Sequence, residues 1–296
     1  MISSEPSLAN FVLGTAQLGM PYGAVNRSGQ PSQDETHQML DLALRRGVRT
    51  FDTAQGYGDS EKRIGRWLAG RSAPRIVTKL APGLDPSNVA AVRGAVSGSR
   101  EQIGPALEGV LLHDPSRLDG WLASAHACVD EGLVEFAGVS VYEPDDFAKA
   151  LTHRELTAIQ APFSVADRRL EERGLLREAQ DRGVRLFLRS AFLQGLLVAE
   201  PAALPARFGF LAPALTRWRD ACRQLGLRPQ AAALAWVKAR APKAAIVVGA
   251  ETVNQLADTL DTWERASLDE ASCDILATAL GALPSPALDP RRWPTR

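Results

Sequence analysis

What most constrains this chain is a rhythm. Short apolar runs alternate with amphipathic helical patterns along its whole length. The runs predict strands at Val12–Thr15, Val48–Thr53, Arg75–Lys79, Leu107–His113, Glu135–Ser140, Leu156–Gln160, Val184–Arg189 and Ala245–Gly249. Helices are predicted between them, at Gln33–Arg46, Glu61–Ala69, Pro86–Gln102, Gly120–Glu131, Pro144–Leu151, Gly174–Arg182, Pro229–Arg240 and Val253–Arg265. Gly47, Gly132 and Gly183 close three of these helices just before a strand, where a left-handed C-cap suits glycine. Eight strands, each followed by a helix, define an α/β chain built as a (β/α)8 TIM barrel. A doubly wound nucleotide-binding sheet would open with G-x-G-x-x-G after its first strand. The segment Gly14–Gly19 lacks that spacing, so the doubly wound reading is rejected.

The 296 residues fit one such barrel, and no Pro/Ser-rich linker divides them. The expectation is a single domain over residues 1–296. Its longest insertion is Ala191–Leu225, and its proline-rich tail, from about residue 283, runs over the surface or the barrel mouth. Hydrophobic residues make up 45% and charged residues 23%, enough apolar material for a large core and too much for disorder. Acidic and basic residues balance at 34 each, so no polyanion-binding surface is expected and nucleic acid is excluded as a partner. No apolar run approaches the ~20 residues that span a bilayer, and Met1–Asn10 lacks the pattern of a secretory signal. Cys128, Cys222 and Cys273 are scattered and odd in number, which favours a reducing compartment. The expectation is therefore a cytoplasmic protein without a membrane partner. The four histidines form no close ligand pair, and no metal is expected.

In a barrel, chemistry sits at the C-terminal ends of the strands. Asp52 ends the second predicted strand, Lys79 the third and His113 the fourth, and Tyr57 follows Asp52 in a glycine-containing loop. Each has an ordinary role open to it: a loop tyrosine, a helix-capping aspartate, a surface lysine, a structural histidine. At consecutive strand ends of one topology the four share a pocket wall, and the catalytic reading prevails. Asp52 and Lys79 are expected to pair. Lysine beside a tyrosine is expected to lower the phenol pKa from about 10 and make Tyr57 a better proton donor near neutrality. His113 would hydrogen-bond and orient the same carbonyl oxygen. His37, His126 and His153 fall in helical patterns and read as surface or cap residues.

With these residues in place the chain resembles the aldo-keto reductases over essentially its whole length. The resemblance runs from Leu13–Gly19 through Leu42-Ala43-Leu44, Gly47-Val48, Phe51-Asp52-Thr53-Ala54, Tyr57-Gly58 and Ser60-Glu61. Thr78-Lys79, Leu111-Leu112-His113, Gly138-Val139-Ser140 and Ile159-Gln160 follow in the family's order. It implies that Asp52, Tyr57, Lys79 and His113 are the catalytic tetrad, with Tyr57 the general acid in reduction. It also implies that NAD(H) or NADP(H) binds extended across the barrel mouth.

By the same resemblance Gly14, Thr15, Asp52, Ser140, Gln160, Arg189, Ser190, Gly195, Gly249, Glu251, Gln255 and Asp258 form the cofactor site. Ser140 and Gln160 match residues that hold the nicotinamide carboxamide, with Val141 in place of the usual asparagine. Arg189 stands where many members stack a tyrosine on the nicotinamide. A guanidinium there would disfavour the cationic, oxidised ring. Glu251 has the wrong sign for a 2′-phosphate, Gln255 replaces an arginine of some members, and Asp258-Thr259 replaces a common Glu-Asn pair. The family normally prefers NADP(H); these replacements argue against a strong preference here. Substrate selection is assigned to Met20–Tyr22, Pro115–Trp121, Ala191–Gly209 and Trp293, whose character suits small aldehydes, ketones or sugars. The implied activity is reduction of such a carbonyl, or the reverse alcohol oxidation. The alternative is a cofactor-binding regulatory or accessory protein with little turnover, and only that alternative calls for a protein partner.

Overall fold

The computed structural model describes residues 8–69, 71 and 74–293. The readings placed on the first seven residues and on the last three lie outside the described residues. Among the described residues, eight parallel strands close into a barrel in sequence order. They are β1 (Phe11–Gly14), β2 (Thr50–Asp52), β3 (Arg75–Lys79), β4 (Leu107–Leu112), β5 (Phe136–Ser140), β6 (Ala158–Pro162), β7 (Arg185–Arg189) and β8 (Ala245–Gly249). Closure comes from β1 against β8, with Gly14 opposite Gly249 and Leu13 opposite Val248.

The strand period of two sorts side chains into two cores. Val12, Val77, Leu111, Phe136, Ala158, Phe187 and Val247 form a separate apolar cluster. They fill the barrel interior, where the Phe136 and Phe187 rings stack with centroids 6.0 Å apart. Other strand residues, among them Leu13, Phe51, Ile76, Val110, Val139, Ile159 and Val248, join the larger cluster shared with the surrounding helices. That outer layer buries Trp67, Trp121, Trp218, Trp236 and Trp263. Trp121 and Trp218 donate their indole N–H to the Gly138 and Leu197 carbonyls, each at 2.9 Å, so large apolar area is buried without a stranded donor.

Gly47, Gly132 and Gly183 adopt φ of 97°, 66° and 71° at the predicted helix ends. Other boundaries differ for local reasons. The helix expected from Pro86 begins at Val89, because the Asn88 side chain accepts from the Ala91 N–H and caps it there. Val48 is still bonded to the Ala43 carbonyl of the preceding helix, so β2 starts only at Thr50. β6 runs on to Pro162, which pairs with Arg189. The long insertion contains a helix, Ala212–Gln224, whose face of Leu215, Trp218, Ala221 and Cys222 is buried. A further helix, Glu270–Leu280, packs on it.

Candidate active site

The inward positions just above the apolar plug carry the polar side chains. Two residues past Val77 stands Lys79, two past Ala158 stands Gln160, and two past Phe187 stands Arg189. Asp52 and His113 occupy the same level on the second strand and just past the fourth. The barrel itself therefore gathers these groups at the C-terminal ends of its strands.

Lys79 is 1% exposed and Asp52 3%. The Lys79 Nζ donates to Asp52 Oδ1 at 2.7 Å, to Oδ2 at 2.8 Å and to the Thr53 carbonyl at 2.9 Å. Burial pulls the lysine below its usual range, and the Asp52 carboxylate opposes that pull. Gln160, fully buried, donates to Asp52 Oδ2 at 2.7 Å, and Ser140 Oγ lies 3.5 Å from its amide oxygen.

Tyr57 lies beside this pair. Lys79 Nζ is 5.0 Å from its ring centroid, and the His113 ring meets it edge-on at 6.2 Å. The expectation that Lys79 lowers the Tyr57 pKa is corrected here. Burial first, and Asp52 second, push the phenol above its ordinary value. The Lys79 ammonium is itself bonded to Asp52 and the Thr53 carbonyl, and burial decides the direction. Tyr57 thus holds its proton through neutral pH. His113 is pushed down to about 4 by burial and then by Lys79 and Arg189, so its imidazole is neutral. Its Nδ1 is buried without a hydrogen-bond partner.

The loop bearing Tyr57 is fixed from several sides. Gln55 accepts from the Ala81 N–H at 2.8 Å and donates to the Ala95 carbonyl and Ser99 Oγ. Ser99 and Thr78 hydroxyls bind the buried Glu61 carboxylate. Ser60 Oγ donates toward Thr15, whose hydroxyl reaches the Asp52 carbonyl. Gly19 and Gly58 meet back to back: a Cβ on Gly19 would strike the Tyr57 carbonyl, and one on Gly58, at φ of 56°, would strike the Gly19 carbonyl.

A cavity of about 450 Å³ opens beside Tyr57. Its wall includes Gly14, Thr15, Asp52, Tyr57, Arg189, Ser190, Gly195, Gly249, Glu251, Gln255 and Asp258. Lys79, His113, Ser140 and Gln160 stand outside that wall. Of the segments expected to select substrate, Tyr22 and part of the insertion, Ala191 to Ala199, line the cavity. Trp293 packs edge-on against Phe208 instead, at 4.9 Å.

Sequence reasoning missed Tyr142 and Arg291. The Arg189 guanidinium lies 4.2 Å from the Tyr142 ring centroid and that of Arg291 3.8 Å from it. The signal was present in the composition: the chain has three tyrosines, and Tyr22, Tyr57 and Tyr142 are near enough to perturb one another's ionisation. Gln17 was missed too and lines the cavity; Gln194, within the expected Ala191–Gly209 segment, also lines it and donates to the Tyr22 hydroxyl at 3.1 Å. Arg228, at the far end, donates to Asp258 at 2.9 Å and to Thr262 Oγ1 at 3.0 Å.

A closed barrel with acid–base side chains gathered at the C-terminal end of its strands is an enzyme architecture. A model of the Aldo/keto reductase family matches residues 10–280, and the chain belongs to that family. It is similar to the oxidoreductase sirO of Leptosphaeria maculans, 26% identical over 90% of this chain and 92% of that protein. A Pseudomonas D-threo-aldose 1-dehydrogenase is 30% identical over 54% of this chain and 60% of its own. The fold matches that of the holo form of an aldo-keto reductase from Bacillus halodurans, with a TM-score of 0.75, 22% identity and 93% of each chain covered. The protein is an oxidoreductase. Its family acts on small carbonyl compounds and normally uses NAD(P)H. Among the described residues no helix is long and apolar enough to cross a membrane, and no group of three or more His, Cys, Asp or Glu could hold a metal ion.

Proposed function

We propose that the whole chain works as one domain that reduces a small aldehyde, ketone or sugar carbonyl, or oxidises the corresponding alcohol, with Tyr57 as general acid. The observation that carries this reading is Tyr57 itself. It is a protonated phenol on the cavity wall, flanked by the Asp52–Lys79 pair and a neutral His113. A carbonyl oxygen placed against Tyr57 accepts its proton, and His113 orients that oxygen by a hydrogen bond. Lys79, 5.0 Å from the Tyr57 ring centroid, stands beside the proton donor, and Asp52, held by Gln160, keeps the lysine in place.

The cavity suits a nicotinamide dinucleotide. Gly14, Gly195 and Gly249 line it, and its far end, with Glu251 and Asp258, carries two acidic side chains. Thr15, Ser190, Gly195, Gly249 and Gln255 would hold the cofactor there. Ser140 and Gln160 would support it from behind, through Asp52. When bound, the nicotinamide supplies the hydride. Glu251 would accept from ribose hydroxyls and repel a 2′-phosphate. Arg228, the cation at that end, is already engaged by Asp258. NAD(H) should therefore bind at least as well as NADP(H).

The direct test is fluorescence titration with all four cofactor forms, followed by a panel of aldehydes, ketones and sugars with NADH and NADPH. Turnover with NADH is the expected result. Cofactor binding without turnover of any compound would point to the regulatory role instead. A clear preference for NADPH would overturn the charge argument at Glu251.

A further inference from the structure

Four side chains of acidic or basic type line the cavity: Asp52, Arg189, Glu251 and Asp258. Lys79 answers Asp52 and Arg228 answers Asp258. Among the described residues, Arg189 has no carboxylate within ion-pair distance. Its guanidinium is engaged only in part. One terminal nitrogen donates to the Val141 carbonyl at 3.0 Å and the other to Ser190 Oγ at 3.3 Å. A guanidinium carries five N–H donors, so further donors are left to a ligand in the cavity.

This cation is also held still. It rests on the Tyr142 ring, and the same ring carries Arg291. Arg291 is fixed by Asp289, which is 2% exposed and accepts from Arg291 Nε at 2.9 Å and from Nη2 at 2.8 Å. The C-terminal segment thus buttresses Arg189 through Tyr142. The two guanidinium groups on one ring differ in one respect: Arg291 is paired with Asp289, and Arg189 has no carboxylate partner among the described residues. Arg189 is close enough to perturb Tyr22, Tyr57, His113 and Lys79, which places it beside the reacting groups. A rigid, partly desolvated guanidinium with spare donors is a carboxylate receptor.

We propose that Arg189 is the substrate's anion site: the carbonyl compound carries a carboxylate within a few bonds of the reacting carbon, as in a 2-oxo acid or a short aldehydic acid. This rests on the reductase reading given above. The carboxylate binds Arg189 while the carbonyl oxygen faces Tyr57. The bound nicotinamide would supply the hydride for the new C–H bond, and Tyr57 would give its proton to the oxygen. The products are a hydroxy acid and the oxidised cofactor, with the carboxylate unchanged.

The test compares kcat/KM with NADH for pyruvate against methyl pyruvate, and for succinic semialdehyde against its methyl ester. Wild type, Arg189→Ala, Arg189→Gln and Arg189→Lys are measured side by side, so that the esters' own electrophilicity cancels. The acid-to-ester ratio should fall by about 30-fold or more in the Ala and Gln variants, through KM, and be partly restored by Lys. Calorimetry with oxamate on the NADH complex should show binding to wild type and none to Arg189→Ala. An unchanged acid-to-ester ratio would overturn the proposal. So would a loss of NADH affinity that lowers acids and esters alike, because the anion at Arg189 would then be the cofactor's pyrophosphate. If neutral carbonyls turn over and acids gain nothing from Arg189, the reductase reading stands and the anion site falls. If no carbonyl turns over but oxamate binding still depends on Arg189, the anion site stands and the reductase reading falls.

Discussion

At the foot of the cavity, Asp52 and Lys79 lie 2.7 Å apart, with the three ammonium donors answered by Asp52 and the Thr53 carbonyl. Higher on the wall, Arg189 and Glu251 face the same space, and among the described residues neither has an opposite charge within ion-pair distance. All four lie at or just past strand ends of the same barrel, yet the two sets are in different states. A charge whose donors and field are consumed by a neighbour serves the architecture of the site. A charge left unanswered at a cavity wall keeps its field for a ligand.

Breaking the buried pair should have the largest effect on the fold. Lys79→Met leaves the Asp52 carboxylate buried without its cation. Urea unfolding should show a loss of about 3–5 kcal/mol, and carbonyl reduction should disappear with it. A variant as stable as wild type would mean that Asp52 is not held by this pair.

At the open end of the comparison, Glu251→Arg reverses one unanswered charge at the phosphate-side loop. It should raise the NADPH-to-NADH affinity ratio by about tenfold, the size of one charge-assisted hydrogen bond. Titration of both reduced cofactors reads it out. Asp258→Asn, which releases Arg228, should move the ratio in the same direction by less. An unchanged ratio in both variants would place the adenosine ribose elsewhere.

A further effect, read against pH, concerns His113. Its folded-state pKa of about 4 lies below the ordinary 6.5, so between those values the unfolded chain binds more protons than the folded one. Stability should therefore fall as pH drops from about 6.5 through about 4. His113→Gln should flatten that part of the urea midpoint against pH. A wild-type profile that is already flat there would contradict the buried, neutral imidazole.

Much of this was legible in the sequence because the barrel converts a period of two into position. Val77 then Lys79, Ala158 then Gln160, and Phe187 then Arg189 each place an apolar plug residue and a polar site residue on the same inner face. The strand-end residues Asp52, Lys79 and His113 could be found without knowing any contact. What could not be read were contacts set by tertiary packing. Gln160 matched a cofactor ligand by order, but its amide is bonded to Asp52, 108 residues away. Arg291 reaches Tyr142 from a proline-rich tail with no periodicity to locate it. The direction of the Tyr57 shift could not be read because the sequence does not show how deeply the phenol is buried or that Asp52 lies close enough to oppose its ionisation.

The central claim is that Tyr57 gives the proton in carbonyl reduction. It is tested most directly by stopped-flow single turnover of wild type and Tyr57→Phe on the best substrate of the panel, with NADH affinity measured on the same samples. The variant should bind NADH nearly as wild type does, while its chemical rate falls by about 100-fold or more. A Tyr57→Phe rate equal to that of wild type would remove Tyr57 from the reaction.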